Sequence, residues 1–151
     1  MQKIKKVFDP NYVITQLLLI IISTILFTLA NPNAIVNEGL GFLAYFIYLP
    51  VLFLVHRASL KDSWFYGLIY GALTYGIYGY WLKSFHPLGL IIVCVCYAFI
   101  LALVFTGLKI IDCLFSRNAW LVQWLFICTY EYLKTLGFIG FSYGVTAYTQ
   151  W

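Results

Sequence analysis

Residues 12–30 read YVITQLLLIIISTILFTLA, nineteen positions without one charged side chain. A helix of that length crosses the hydrocarbon layer of a bilayer, and in water it would have no polar face to turn outward. The same constraint returns along the chain, with further apolar runs at 39–55, 64–82, 88–108 and 119–136 separated by short polar connections. With 64% hydrophobic and only 9% charged residues, there is too little polar side chain to cover a soluble core. These runs predict an all-α integral membrane protein with a single transmembrane domain, a compact bundle of five transmembrane helices whose backbone groups are bonded internally. Residues 137–151 then form an outer turn, a re-entrant segment or the start of a sixth span. Lys3, Lys5 and Lys6 ahead of the first run resemble the opening of a signal peptide. That run exceeds a usual signal core, however, and more spans follow, so we read it as retained.

Local chemistry punctuates the runs. Asn31-Pro32-Asn33 ends the first, and Pro50 inside the second predicts a kink. The third carries Gly67, Gly71, Ala72, Gly76 and Gly79 among Tyr66, Tyr70, Tyr75, Tyr78 and Tyr80. Small residues four apart let helices approach closely, and the tyrosines raise the second reading of a lipid-accessible groove. Cys94, Cys96, Cys113 and Cys128 form no CxxC or Cys/His cluster and read as small hydrophobes without a redox message. With the N-terminus cytoplasmic, Lys3, Lys5, Lys6, Arg57, Lys61, Lys109 and Arg117 lie inside and Lys83 and Lys134 outside, as the positive-inside rule requires. Scattered singly, these charges make no nucleic-acid stripe.

Catalysis needs a nucleophile with a base in reach, paired carboxylates, or metal ligands at workable spacing. None is visible, so no catalytic, cofactor-binding or metal-ligating residue is assigned. His56 and His86 fall on connections at opposite faces and read as interfacial. Asp9, Glu38, Asp62 and Asp112 lie outside the runs, where solvated charge is expected. Glu131 alone is an acid within a run, and intramembrane acids are functional by default. Lys134, three residues on, offers the competing account of an ion pair at the interface that fixes a helix end. Phe138, Phe141, Tyr143, Tyr148 and Trp151 suit an interfacial aromatic belt.

Residues 131–150 also resemble, without a gap, the signature of apolipoprotein N-acyltransferases. There an acid, an aromatic, Leu and Arg lead to Gly-Phe-Pro-Trp and then to Gly-Tyr-Ser-Gln. Glu131, Tyr132, Leu133, Gly140, Phe141, Tyr148 and Gln150 fit, whereas Lys134 replaces the Arg, Ser142 the Pro, Tyr143 the Trp, Ala147 the Gly and Thr149 the Ser. Upstream, the glycine-rich run ending in Tyr80-Trp81 is similar to the family's GxxxW-type helix, and Asn31-Pro32 and Pro50 sit about where the family has prolines. Trp81, Glu131, Lys134, Gly140, Phe141, Tyr143, Tyr148 and Gln150 are therefore candidates for structural or lipid-site roles.

The resemblance implies a multi-pass protein of the bacterial inner membrane, with a phospholipid as acyl donor and the lipid-modified N-terminal cysteine of lipoproteins as acceptor. It implies no cofactor. The family's chemistry lies in a nitrilase-like domain on the extracytoplasmic side, where a Glu acts as base, a Lys supports the oxyanion and a Cys forms a thioester acyl-enzyme. No cysteine of this chain sits in such a motif. The expectation is the membrane part of the enzyme, as a fragment or truncated product, inactive alone and dependent on that domain in the same or another chain. The alternative is a small stand-alone membrane protein that binds lipid or a partner through the Gly/Tyr run. A transporter using Glu131 ranks last, because no inverted repeat is visible.

Overall fold

The computed structural model describes residues 10–33, 37–115, 118–136, 144–146 and 149, and among these all regular structure is helical. The order is α1 (Pro10–Ala30), a 3₁₀ turn (Gly41–Tyr45), α2 (Tyr48–Arg57), α3 (Leu60–Tyr78), a second 3₁₀ segment (Gly79–Ser84), α4 (Pro87–Leu114) and α5 (Ala119–Leu133). Two helices, over Tyr12–Ala30 and Pro87–Leu114, are long and apolar enough to cross a membrane by length and composition.

Each boundary has a chemical cause. The carbonyls that α1 leaves open are met by Asn31 and Asn33, whose side-chain amides donate to Phe27 O at 2.9 Å and Thr28 O at 2.8 Å. The second apolar run is not one helix but a 3₁₀ turn followed by α2. Pro50 stands in the first turn of α2, where its missing N–H costs nothing, so it starts a helix rather than kinking one. The Ile47 carbonyl at the break accepts from the Ser23 hydroxyl of α1 at 2.6 Å. Ser59 and Asp62 cap α3 reciprocally. Pro87 opens α4, where the His86 ring nitrogen accepts from the Leu88 N–H at 3.2 Å. After Leu133 the chain tightens into i→i+3 bonds, Thr135 N–H to Tyr132 O and Leu136 N–H to Leu133 O, so α5 stops short of residue 136.

Helices α3 and α4 meet along small residues. A Cβ on Gly67 would lie 2.6 Å from Leu101 O, and one on Gly71 would lie 2.6 Å from Tyr97 O, so only glycine permits this approach. The pair Ala72 and Gly76 does not repeat the contact: Ala72 is exposed, and a Cβ on Gly76 would meet only Cys94 Sγ at 3.7 Å. Tyr70 and Tyr75 turn into the core instead of lining a groove, and Tyr75 stacks on Tyr97 with centroids 3.7 Å apart.

Polarity runs opposite to that of a water-soluble bundle. On α1, Gln16 and Ser23 are fully buried while Ile14, Leu18 and Ile25 are each more than half exposed. Across the interface Thr24 shares a hydrogen bond with Thr74 at 3.3 Å, and Ser23 donates to the Tyr70 hydroxyl at 3.3 Å. On α4 the exposed residues include Ile91, Ile92, Val95, Phe99 and Leu103. The apolar exterior around this polar seam is left uncovered among the described residues.

Candidate functional site

At its C-terminal end α5 places Glu131 and Lys134 on one face, and both are buried, 8% and 7% exposed. The pair is therefore enclosed by the bundle, which changes its chemistry. Glu131 Oε1 accepts from the Tyr48 hydroxyl of α2 and Oε2 accepts from the Thr146 backbone N–H at 2.9 Å. Lys134 Nζ donates to the Gly144 carbonyl at 2.6 Å and stands 3.8 Å from Glu131 Oε1. Each member of the pair thus binds the backbone of residues 144–146. The acid takes its free donor, and the base its free acceptor.

Aromatic faces hold the ammonium where water cannot. Lys134 Nζ lies 5.5 Å from the ring centroid of Tyr75, 5.7 Å from that of Tyr130, and 5.9 Å from those of Phe27 and Tyr97. A cation over several ring faces gains electrostatic stabilisation that grows as the site is desolvated. The rings come from α1, α3, α4 and α5, so one side chain ties four helices to the loop. Gly144 completes the fit: its φ is +73°, and a Cβ there would lie 2.9 Å from Phe27 Cζ. Sequence reasoning found Glu131 and Lys134 but missed Tyr48 and the rings, because aromatics in a chain this rich in them carry no distinguishing pattern.

Two lateral grooves flank this centre. One, of about 570 Å³, runs along α5 and the first 3₁₀ turn, past Tyr45, Tyr48, Trp124 and Cys128, and ends at Glu131 and Thr146. The other, of about 660 Å³, lies between the end of α1 and the end of α3, lined by Thr28, Asn33, Asn37, Tyr78, Tyr80 and Trp81. Trp81 packs edge-on against Phe85 and does not share the Glu131 groove. The two regions connect through Phe27, which touches Lys134 on one side and Tyr78 on the other. Gly140, Phe141, Tyr143, Tyr148 and Gln150 lie outside the described residues.

The opposite end carries a second charged group. His56 Nδ1 is 2.9 Å from Asp112 Oδ1, Lys109 Nζ is 2.8 Å from Asp112 Oδ2, and Lys109 also donates to the His56 carbonyl at 3.1 Å. Asp112 is therefore paired rather than simply solvated. It lies beyond the predicted span 88–108: a helix of 28 residues is about 42 Å long and overruns a hydrocarbon core of about 30 Å. Partial burial pushes the Asp112 carboxyl up, but hydrogen bonds from Lys109 and His56 outweigh that and hold it below the usual carboxylate range. His86 caps the far end of the same helix, so the two histidines do not meet.

A family model described as the apolipoprotein N-acyltransferase N-terminal domain matches residues 17–151. Apolipoprotein N-acyltransferase 1 of Treponema denticola is 42% identical over 135 residues, covering 89% of this chain and 25% of the relative. Apolipoprotein N-acyltransferase 1 of Treponema pallidum is 43% identical over 136 residues, covering 90% of this chain and 25% of the relative. No solved structure matches. The chain spans about a quarter of the length of these curated relatives. On both the domain match and the identity of these relatives, the chain belongs to the apolipoprotein N-acyltransferase family.

Proposed function

We propose that these residues form the membrane part of a bacterial lipoprotein N-acyltransferase, which moves an acyl chain from a phospholipid to the amino group of a lipid-modified N-terminal cysteine. The observation that carries the reading is the match of the N-terminal domain over residues 17–151. The apolar exterior around a polar seam supports a bilayer setting, because lipid is the solvent that such a surface suits. In this reading five spans cross the inner membrane with the N-terminus cytoplasmic. The Glu131–Lys134 centre anchors residues 144–146 on the outer side, beneath a nitrilase-like catalytic domain supplied from outside these residues.

Cells depleted of their own N-acyltransferase test the assignment. The gene in its full genomic frame should restore N-acylation, read by mass spectrometry of lipoprotein N-termini, and residues 1–151 alone should not. Failure of the full frame overturns the acyltransferase reading, while restoration by the short form overturns the division of labour. Single cysteines replacing Lys61 and Lys83 test the orientation. A membrane-impermeant thiol reagent should label position 83 in intact cells and position 61 only after lysis.

The grooves of about 570 and 660 Å³ favour a second reading, a stand-alone lipid-binding protein. It predicts that residues 1–151, purified in mild detergent, retain stoichiometric phospholipid, and that Trp81→Ala or Trp124→Ala releases it. Retention of lipid together with restored N-acylation by the full frame would place the lipid inside the first reading.

A further inference from the structure

A third groove, of about 450 Å³, opens between α2 and α5 at the end of the bundle away from Glu131. Leu49, Phe53 and His56 line it from one face of α2, Trp120 and Trp124 face them from α5, and Asp112 of α4 stands at its polar end. Phe53 and Trp120 are 63% and 58% exposed, so two large rings form an open rim. Trp124 packs edge-on against Tyr48 and stands between this groove and the one that ends at Glu131. The polar end is basic. Asp112 is already matched by Lys109 and the His56 ring, and Asp62 is taken up by the cap it forms with Ser59. Arg57 and Lys61, both exposed, add positive charge beside them. To the same end the sequence adds Lys3, Lys5, Lys6 and Arg117 against Asp9.

We propose that this groove holds one acyl chain of an anionic phospholipid from the cytoplasmic leaflet, with the phosphate at the basic rim beside His56. An apolar trough that ends in positive charge matches a molecule with a hydrocarbon tail and an anionic head, and basic side chains just cytoplasmic of a span attract such heads. A zwitterionic lipid offers the same tail but adds an ammonium, which the basic rim disfavours. A helix about 10–12 Å across takes up roughly 500 Å³ in each turn, so the groove suits a single acyl chain better than a further helix. The inference rests on the bilayer setting and orientation proposed above and not on acyl transfer, because the groove lies at the opposite end from the Glu131 centre.

The test uses the protein of the full genomic frame in vesicles holding equal amounts of phosphatidylglycerol and phosphatidylethanolamine, released into mild detergent and weighed by native mass spectrometry. Phosphatidylglycerol should stay bound in about tenfold preference to phosphatidylethanolamine. Phe53→Ala combined with Trp120→Ala should cut the retained phosphatidylglycerol about tenfold, with little effect on melting temperature because both side chains are largely exposed. Equal retention of the two lipids overturns the choice of an anionic head, and undiminished retention in the double variant overturns the groove as the site. Phosphatidylglycerol with a photoreactive diazirine in its acyl chain supplies a readout on the parent protein alone. Adducts should fall within residues 49–56 and 119–124. Adducts confined to other segments, as when a protein helix fills the groove, overturn the inference. N-acylation in the depleted cells is scored separately, so intact acyl transfer without this lipid sinks the present inference alone.

Discussion

Both ends of the bundle carry an acid and a lysine three residues apart on one helix, and the two pairs are built in opposite ways. Lys109 and Asp112 touch at 2.8 Å with side chains each 12% exposed, and they reach solvent through His56, whose side chain is 76% exposed. Glu131 and Lys134 stand 3.8 Å apart, with their charges spent mainly on the backbone of residues 144–146. The closer pair is thus the one that contributes less. Where water and counterions compete, an ion pair is worth about 0–1 kcal/mol. A buried pair is held by the penalty for leaving either partner alone. The contrast also follows the helix dipole: at the C-terminus of α5 a lysine follows its acid, the favourable order, whereas at the end of α4 the acid comes last and is met by both Lys109 and the His56 ring.

The largest effect is expected from removing one partner of the buried pair. Lys134→Met leaves Glu131 without its cation inside a ring of aromatics, and it should destabilise the protein by about 3–5 kcal/mol, measured by denaturant titration in mixed micelles. Glu131→Gln combined with Lys134→Met should lose less than Lys134→Met alone, because no uncompensated charge remains. Additive losses would show that the two side chains act independently, and the contrast between the ends would collapse.

Gly144 sharpens the same comparison from the loop side. Gly144→Ala places a methyl 2.9 Å from Phe27 Cζ on a backbone with φ of +73°, so it should cost about 1–3 kcal/mol through strain and overpacking. It should also expose residues 144–146 to proteolysis. A variant as stable and as protease-resistant as the parent would mean that Glu131 and Lys134 do not hold this segment.

How much of this could be read from residue order depends on which physical signal each feature leaves. The α1 and α4 runs were legible because charge-free stretches bounded by Asn-Pro or by His-Pro leave few alternatives to a helix. The close approach at Gly67 and Gly71 was legible too, since spacing by four places both on one face. Pro50 was not: the same residue kinks a helix from within or starts one, and the choice depends on whether the turn before it is α or 3₁₀. The site was half legible. An acid and a lysine in an apolar run stand out, but Phe27, Tyr75 and Tyr97 come from other helices and look like every other aromatic here. That Glu131 and Lys134 turn inward to the loop is a matter of packing, which no short pattern encodes.

The smallest expected effect lies at the end that reaches solvent through His56, and its dependence on pH and salt separates it from the Glu131 end. Asp112 is held below the usual carboxylate range in the folded protein, so the unfolded chain takes up its proton first as pH falls. Its contribution is therefore complete above about pH 4, the ordinary range of an aspartate, and disappears as pH drops through the lower folded value. Asp112→Asn should cost no more than about 1 kcal/mol near neutrality. The difference in stability between parent and variant should shrink steadily below about pH 4. Raising salt should shrink it as well, because the trio reaches solvent and a Debye length falls to about 3 Å at 1 M. Lys134→Met should show no such sensitivity to salt, since no counterion reaches its place among the rings. Equal salt dependence at the two ends would mean that water and ions enter the Glu131 centre freely, and its pair would then be screened like the one at Asp112.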